Sequence, residues 1–265
     1  MAKYLLVTSD DFGMCHAVNA GITRAMSQGI VHSTNFLVPC PWFAEAFALA
    51  KDLRLKVGVH LCLTCDWDRL KWGPLTRASS LTDERGHFWP SFEALAKTAN
   101  DEEMLVELEA QIERLRGLGY EPTHLDSHML VAEDNGPFTS RVKAVIRALC
   151  DEYGLIYTYD YAEDSGLVHF TDHFCCSPVP EAETWQKLES WSGPGAYHLI
   201  GHAASASPEL DALCSPGHPS RSWAAEYRLK DCQFFTNPAT RARIEALGFE
   251  LIDIPRLREL AEKSA

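Results

Sequence analysis

No stretch of this sequence is apolar for long enough to cross a bilayer, no block of lysine or arginine occurs, and no segment repeats. The first absence excludes a transmembrane helix on length alone. The second leaves 24 basic against 37 acidic residues and a net charge of −13, which argues against nucleic acid or an anionic membrane surface as partner. Low-complexity tracts and Gly/Ser-rich linkers are missing too, so residues 1–265 are expected to form one domain. No charged leader precedes a long apolar segment, so no signal peptide is expected. Cys62 and Cys65 form a C-x-x-C pair, but no second such pair exists, which leaves a four-cysteine zinc site weakly supported. Nine cysteines, an odd number, in a chain without a secretory signal fit reduced thiols and a cytoplasmic location.

What the chain does have is Thr8-Ser9-Asp10-Asp11-Phe12-Gly13, led into by the apolar run Tyr4-Leu5-Leu6-Val7. The run predicts a short buried strand. Neighbouring strand residues point to opposite faces, so Asp10 and Asp11 serve one site only if the chain turns there, and Gly13 permits a turn. Two adjacent carboxylates are unfavourable unless a positive charge sits near them, and a metal ion is the simplest candidate. The competing interpretation is a solvated turn whose Asp caps the next helix.

Strand and helix then alternate. Helices are predicted over 15–28, 42–51, 101–118, 137–153 and 184–191, then around 223–230, over 238–247 and at the C-terminus. Strands are predicted over 33–38, 55–64, 122–128, 155–159, 195–202 and 249–254, with a short one at 168–170. In 55–64, Val57, Val59, Leu61 and Leu63 share one face, and Gly58, His60, Cys62 and Thr64 the other. Residues 65–90 form a long irregular excursion carrying Trp67, Trp72, Phe88 and Trp89, which suit packing or a subunit contact somewhat better than sugar stacking. A loop is expected over 203–220. About eight βα units in this length predict an irregular TIM-like (β/α) barrel with parallel strands, whose site lies at the C-terminal strand ends. Asp10, Asp11, His60, His124, His128 and His202 all fall at or near such ends.

The chemistry follows from residue type. On a strand, His124, Asp126 and His128 share a face by period two, which makes ligands and their supports. Two histidines and one carboxylate leave coordination positions open for water and substrate, the layout of a catalytic metal site. One aspartate can bind the ion while the other accepts a proton from water.

The segments Thr8-Ser9-Asp10-Asp11-Phe12-Gly13, Gly58-Val59-His60-Leu61 and Thr123-His124-Leu125-Asp126-Ser127-His128 resemble the signature segments of the YdjC-like, or chitooligosaccharide deacetylase, family. So do Gly29 to Thr34, Arg228-x-x-Asp231 and Leu247 to Ile252, and the similarity runs nearly the full length. The resemblance implies a (β/α) barrel related to polysaccharide deacetylases, removal of acetyl groups from N-acetylated sugars, and a homodimer. It implies that Asp11, His60 and His128 hold a divalent ion, magnesium or zinc, with His124 a lower-ranked ligand or a support. Asp10 becomes the general base. The family's late histidine matches His202, which ends an apolar strand, better than His218, although His218-Pro219 carries the usual proline and His202 does not. Its implied role is to protonate the departing amine. Met129, Leu130 and Val131 stand where many relatives carry further histidines, and 160–192 matches no family segment. The missing histidines and the altered histidine–proline segment motivate an alternative, a non-catalytic sugar-binding or regulatory protein on the same fold. Hydrolysis of another amide or an ester is a third possibility.

Overall fold

A computed structural model of the protein describes residues 2–129, 136–159, 170–213 and 224–262. Strand β1 (Lys3–Phe12) leads to helix α1 (His16–Gln28), then β2 (Ser33–Phe36), α2 (Phe43–Asp52) and β3 (Gly58–Leu61). After a long excursion come α3 (Phe92–Leu95), α4 (Asp101–Arg116), β4 (Leu125–Ser127) and α5 (Pro137–Tyr153). The second half carries β5 (Asp172–Cys175), α6 (Glu181–Ser190), β6 (Gly195–Gly201), α7 (Pro208–Ala212), α8 (Ala224–Thr236), α9 (Pro238–Ala246), β7 (Phe249–Ile252) and α10 (Ile254–Glu262). Among the described residues, no helix is long and apolar enough to cross a membrane.

All named strand pairs are parallel, as an alternating β/α order requires. The sheet runs β4-β3-β2-β1-β6-β5, and β7 pairs with the first half of β1, so strands from both ends of the chain meet in one sheet. The sheet curls into a half-barrel with helices on its outside, the architecture of a (β/α) barrel. Leu5 and Val7 of β1, Val59 of β3 and Leu199 of β6 are fully buried with Val18 and Ile22 of α1 and Leu108 and Ile112 of α4. Helix α4 shows why its sequence starts where it does. The Asn100 side chain accepts from the amides of Glu102 and Glu103, Asp101 to Glu103 load the first turn with negative charge, and Arg114 and Arg116 close the last.

Several expectations shift. The strand predicted at 155–159 shrinks to a single bridge, Leu125 to Tyr157, because the chain turns directly after it at 158–159. The short strand expected at 168–170 begins in residues outside the description, and the strand that forms is Asp172–Cys175. Its sequence, Asp-His-Phe-Cys, has no β-branched residue and no clear alternation, so periodicity does not reveal it. The loop over 203–220 contains α7, announced by Ser207, whose hydroxyl accepts from the Leu210 amide, and by Pro208 at the first helical position. The strand expected over 4–7 runs on to Phe12 and carries both aspartates within it.

Candidate active site

The C-terminal ends of β1, β2, β3 and β4 and the segments that follow β5 and β6 supply the polar residues of one buried cluster. At β1 the register slips. Ser9 pairs with Thr34 and Phe12 with Phe36, so Asp10 and Asp11 together face the single residue Asn35. This is a β-bulge, and Asp11 takes φ of 76°, a left-handed conformation that aspartate tolerates better than most residues. The extra residue cancels the alternation of the strand and turns both carboxylates into the same cavity. The turn required by the sequence is therefore made at Asp11 itself, two residues ahead of the expected hinge at Gly13.

Asp11 stands at the centre. Its Oδ2 accepts from Arg228 Nη2 at 2.5 Å. Its Oδ1 is buried and accepts no hydrogen bond among the described residues, yet His128 Nδ1 lies 3.3 Å and His60 Nε2 3.6 Å from it. These donor atoms all lie within 4.8 Å of one another. A tetrahedral ion with bonds of about 2.0–2.1 Å has ligand atoms about 3.3–3.4 Å apart. Both the orphaned oxygen and the spacing therefore fit a divalent cation held by Asp11, His60 and His128.

Each ligand candidate is braced from behind. His60 Nδ1 lies 2.6 Å from Asp126 Oδ1, and His128 Nε2 lies 2.9 Å from Asp66 Oδ1. Such carboxylate–imidazole contacts fix the ring and direct its other nitrogen at the ion. Trp72 packs its ring 6.0 Å from that of His128, and Arg228 lies 5.5 Å over the ring of Trp67. Trp67 and Trp72 are buried, so these two aromatics of the 65–90 excursion wall the cluster and do not stand open to solvent.

Asp10 lies beside this trio. Asn35 Nδ2 donates to Asp10 Oδ1 at 2.7 Å and also to Asp126 Oδ2, and the Tyr159 hydroxyl donates to Asp10 Oδ2. His202 Nε2 stands 4.0 Å from Asp10 Oδ2, and the His202 side chain is 23 % exposed, an opening through which solvent reaches the cluster. His124 is not brought to the trio. Its ring is fully buried, with Nε2 3.7 Å from Asp126 Oδ2 and Nδ1 2.9 Å from Thr123 Oγ1. His218 lies outside the described residues, as do Leu130 and Val131.

The electrostatics separate the two aspartates. Burial works against ionisation of Asp11, but Arg228 and His128 outweigh it and hold its carboxyl well below the usual range. Burial raises Asp10, and Asp126 and Asp11 add to the rise against the pull of His60 and His202. Burial likewise disfavours charge on His128, but Asp66 and Asp11 outweigh it and push the ring up to about 10. His202 is lowered by burial and by Arg228. The pair thus comprises one firmly ionised carboxylate and one with raised proton affinity, the division of labour that hydrolytic sites use.

Sequence reasoning did not single out Asn35, Asp66, Tyr159 or Ser177, and it gave Arg228 no role. Arg228 sits inside a matched segment, but nothing in Arg-x-x-Asp on a helix reveals that it reaches the aspartate pair across the sheet.

A family model described as YdjC-like protein matches residues 4–246, spanning every element from β1 to α9. The chain belongs to the YdjC-like family. It is 30 % identical over 265 aligned positions to the chitooligosaccharide deacetylase of Yersinia enterocolitica, covering 95 % of this chain and 98 % of that one. It is 38 % identical over 156 positions to the carbohydrate deacetylase of Geobacillus stearothermophilus, a match spanning 58 % of this chain and 59 % of that relative's length. The solved structure of a protein from Enterococcus faecalis V583 superposes with a TM-score of 0.79 at 24 % identity, covering 97 % of this chain and all of that one, and so shares the YdjC-like fold.

Proposed function

We propose that this YdjC-like chain is a metal-dependent carbohydrate deacetylase that hydrolyses the N-acetyl amide of a small acetylated sugar. The observation that carries the reading is the convergence of Asp11, His60 and His128 around one orphaned carboxylate oxygen, with Asp10 beside them. The deacetylase names of the full-length relatives support the substrate class. Two imidazoles and one carboxylate suit zinc, iron or cobalt better than magnesium, which prefers oxygen donors. His124 is left out of the ligand set because it lies behind Asp126. A cation bound there would polarise the amide carbonyl and acidify water.

The chain's own residues do the rest. Arg228 keeps Asp11 ionised and orients it through Oδ2, leaving Oδ1 for the ion. Asp10 accepts the proton of the attacking water, a role suited to its raised proton affinity and to two hydrogen bonds that fix its plane. The water oxygen bonds to the carbonyl carbon, the carbon–nitrogen bond breaks, and His202 delivers a proton to the nitrogen. The products are acetate and a free amine.

The test is acetate release from a panel of N-acetylated mono- and oligosaccharides, with chelator and with metal restored. Release that stops with chelator and returns with metal supports the reading. A metal-loaded chain that binds these sugars and releases no acetate would replace it with the binding-protein alternative.

A further inference from the structure

His202 has a support of its own. The loop after β5 starts beside the end of β6, held by the Cys176 amide donating to the Ile200 carbonyl at 2.8 Å, and the loop after β6 leaves next to it. Ser177 follows on the first loop and His202 on the second, and Asp231 reaches both from α8. Asp231 Oδ2 accepts the backbone N–H of His202 at 2.8 Å and the hydroxyl of Ser177. Its Oδ1 takes the thiol of Cys176 at 3.6 Å. Ser177 Oγ also lies 3.3 Å from His202 Nδ1. Gly201, just before His202, leaves room for this arrangement: a Cβ there would stand 3.0 Å from Asp231 Oδ2, 2.7 Å from Cys176 Sγ and 2.6 Å from Phe235 Cζ.

A hydroxyl has one proton. Ser177 spends it on the carboxylate, so toward His202 its oxygen is an acceptor, and Nδ1 must carry a hydrogen to meet it. We propose that Ser177 and Asp231 are positioning residues that lock neutral His202 in the Nδ1–H tautomer, with the lone pair of Nε2 facing Asp10.

The inference rests on the deacetylase reading for its consequence, though not for its geometry. In the resting enzyme Nε2 is empty, so His202 acquires the proton it delivers during each turnover. The balance closes on Asp10: water gives a proton to Asp10, Asp10 gives one to Nε2 across the 4.0 Å gap as the groups close up, and Nε2 gives one to the departing nitrogen. No proton is gained or lost by the protein over the cycle. Without Ser177 as acceptor, the proton can sit on Nε2 and His202 can turn, and the relay loses its starting state.

The experiment has two readouts on the full chain loaded with a diamagnetic ion. The first is the pair of nitrogen-15 shifts of the His202 imidazole, assigned by their loss in His202→Gln. The unaltered chain should show a protonated Nδ1 and a bare Nε2, a result independent of any turnover. The opposite tautomer overturns the proposal whether or not acetate is ever released. The second compares Ser177→Ala with Ser177→Thr. Ser177→Ala should move the shifts toward a tautomer mixture and lower kcat on the order of 100-fold with KM little changed, and Ser177→Thr, which restores the hydroxyl, should recover both. Unchanged shifts with reduced kcat, or altered shifts with full kcat, each refute it. Should Ser177→Ala not fold, the tautomer of the unaltered chain and the Ser177→Thr kinetics still decide.

Discussion

His60 Nδ1 lies 2.6 Å from Asp126 Oδ1, and the other oxygen of Asp126 is tied through Asn35 to Asp10. One buried carboxylate therefore both aims a metal-ligand candidate and, through a single amide, sets its distance from the proposed base. Burial opposes ionisation of Asp126, but His60 and His124 outweigh it and hold its pKa below the usual value, so the carboxylate can accept the imidazole N–H. Asp126→Asn preserves shape and removes that charge. Metal affinity measured by titration calorimetry should fall about 10- to 100-fold, and an affinity unchanged from the parent would show that His60 is oriented by something else.

Asp10 is outside the ligand trio, and the two roles can be separated by one substitution. Asp10→Asn retains an acceptor for Asn35 and nearly the same volume, so metal content measured by elemental analysis should stay at the parent level. Acetate release should drop by about 10²- to 10⁴-fold, the range ascribed to a positioned general base. Turnover close to the parent rate would exclude Asp10 as the base, and loss of the metal would place it among the ligands.

The parts of this fold that were legible in the sequence are those written in local periodicity. The alternation of β and α elements, the helix α4 beginning at Asp101, and the placement of Asp11, His60 and His128 at strand ends needed only spacing and residue type. The site's second layer was not legible, because it depends on register. Asn35 looks like an ordinary polar residue until the bulge at Asp10 and Asp11 sets both opposite it. Tyr159 and Arg228 come from distant segments and meet Asp10 and Asp11 only when the sheet curls, and Ser177 meets Asp231 and His202 the same way. His124 illustrates the reverse: the period-two argument put it on the face of Asp126, where it lies, but could not tell a ligand from the residue behind one.

Gly58 is the point at which His124 becomes testable. A Cβ at this position would lie 2.5 Å from His124 Cε1 and 2.6 Å from its two ring nitrogens, far inside contact distance. His124 is fully buried and cannot swing away freely. Gly58→Ala should therefore lower unfolding free energy in denaturant titrations by about 1–3 kcal/mol, the usual penalty for overpacking a filled core. Because the displaced ring presses toward Asp126, metal binding should weaken as well. A variant as stable as the parent would mean that the strand and the ring can separate, and that the glycine is not required by this contact.

In the metal-free protein His128 sits between Asp11 and Asp66, 3.3 and 2.9 Å from its two nitrogens, and its pKa is pushed up from 6.5 to about 10. The raised value fixes the sign. The charged ring stabilises the metal-free fold fully below about 6.5, and this contribution is lost as pH rises through about 10. A cation on Nδ1 replaces the proton there, and the neutral ring keeps its other N–H for Asp66. At about pH 8 the metal-free protein should thus release at least one proton for each ion it binds, visible as a dependence of the calorimetric enthalpy on the ionisation heat of the buffer. The apparent metal affinity should also rise with pH up to about 10, since fewer protons then compete for Nδ1. Binding enthalpies identical in buffers of low and high ionisation heat would show that His128 is already neutral before the metal arrives, and that Asp66 and Asp11 do not hold its proton.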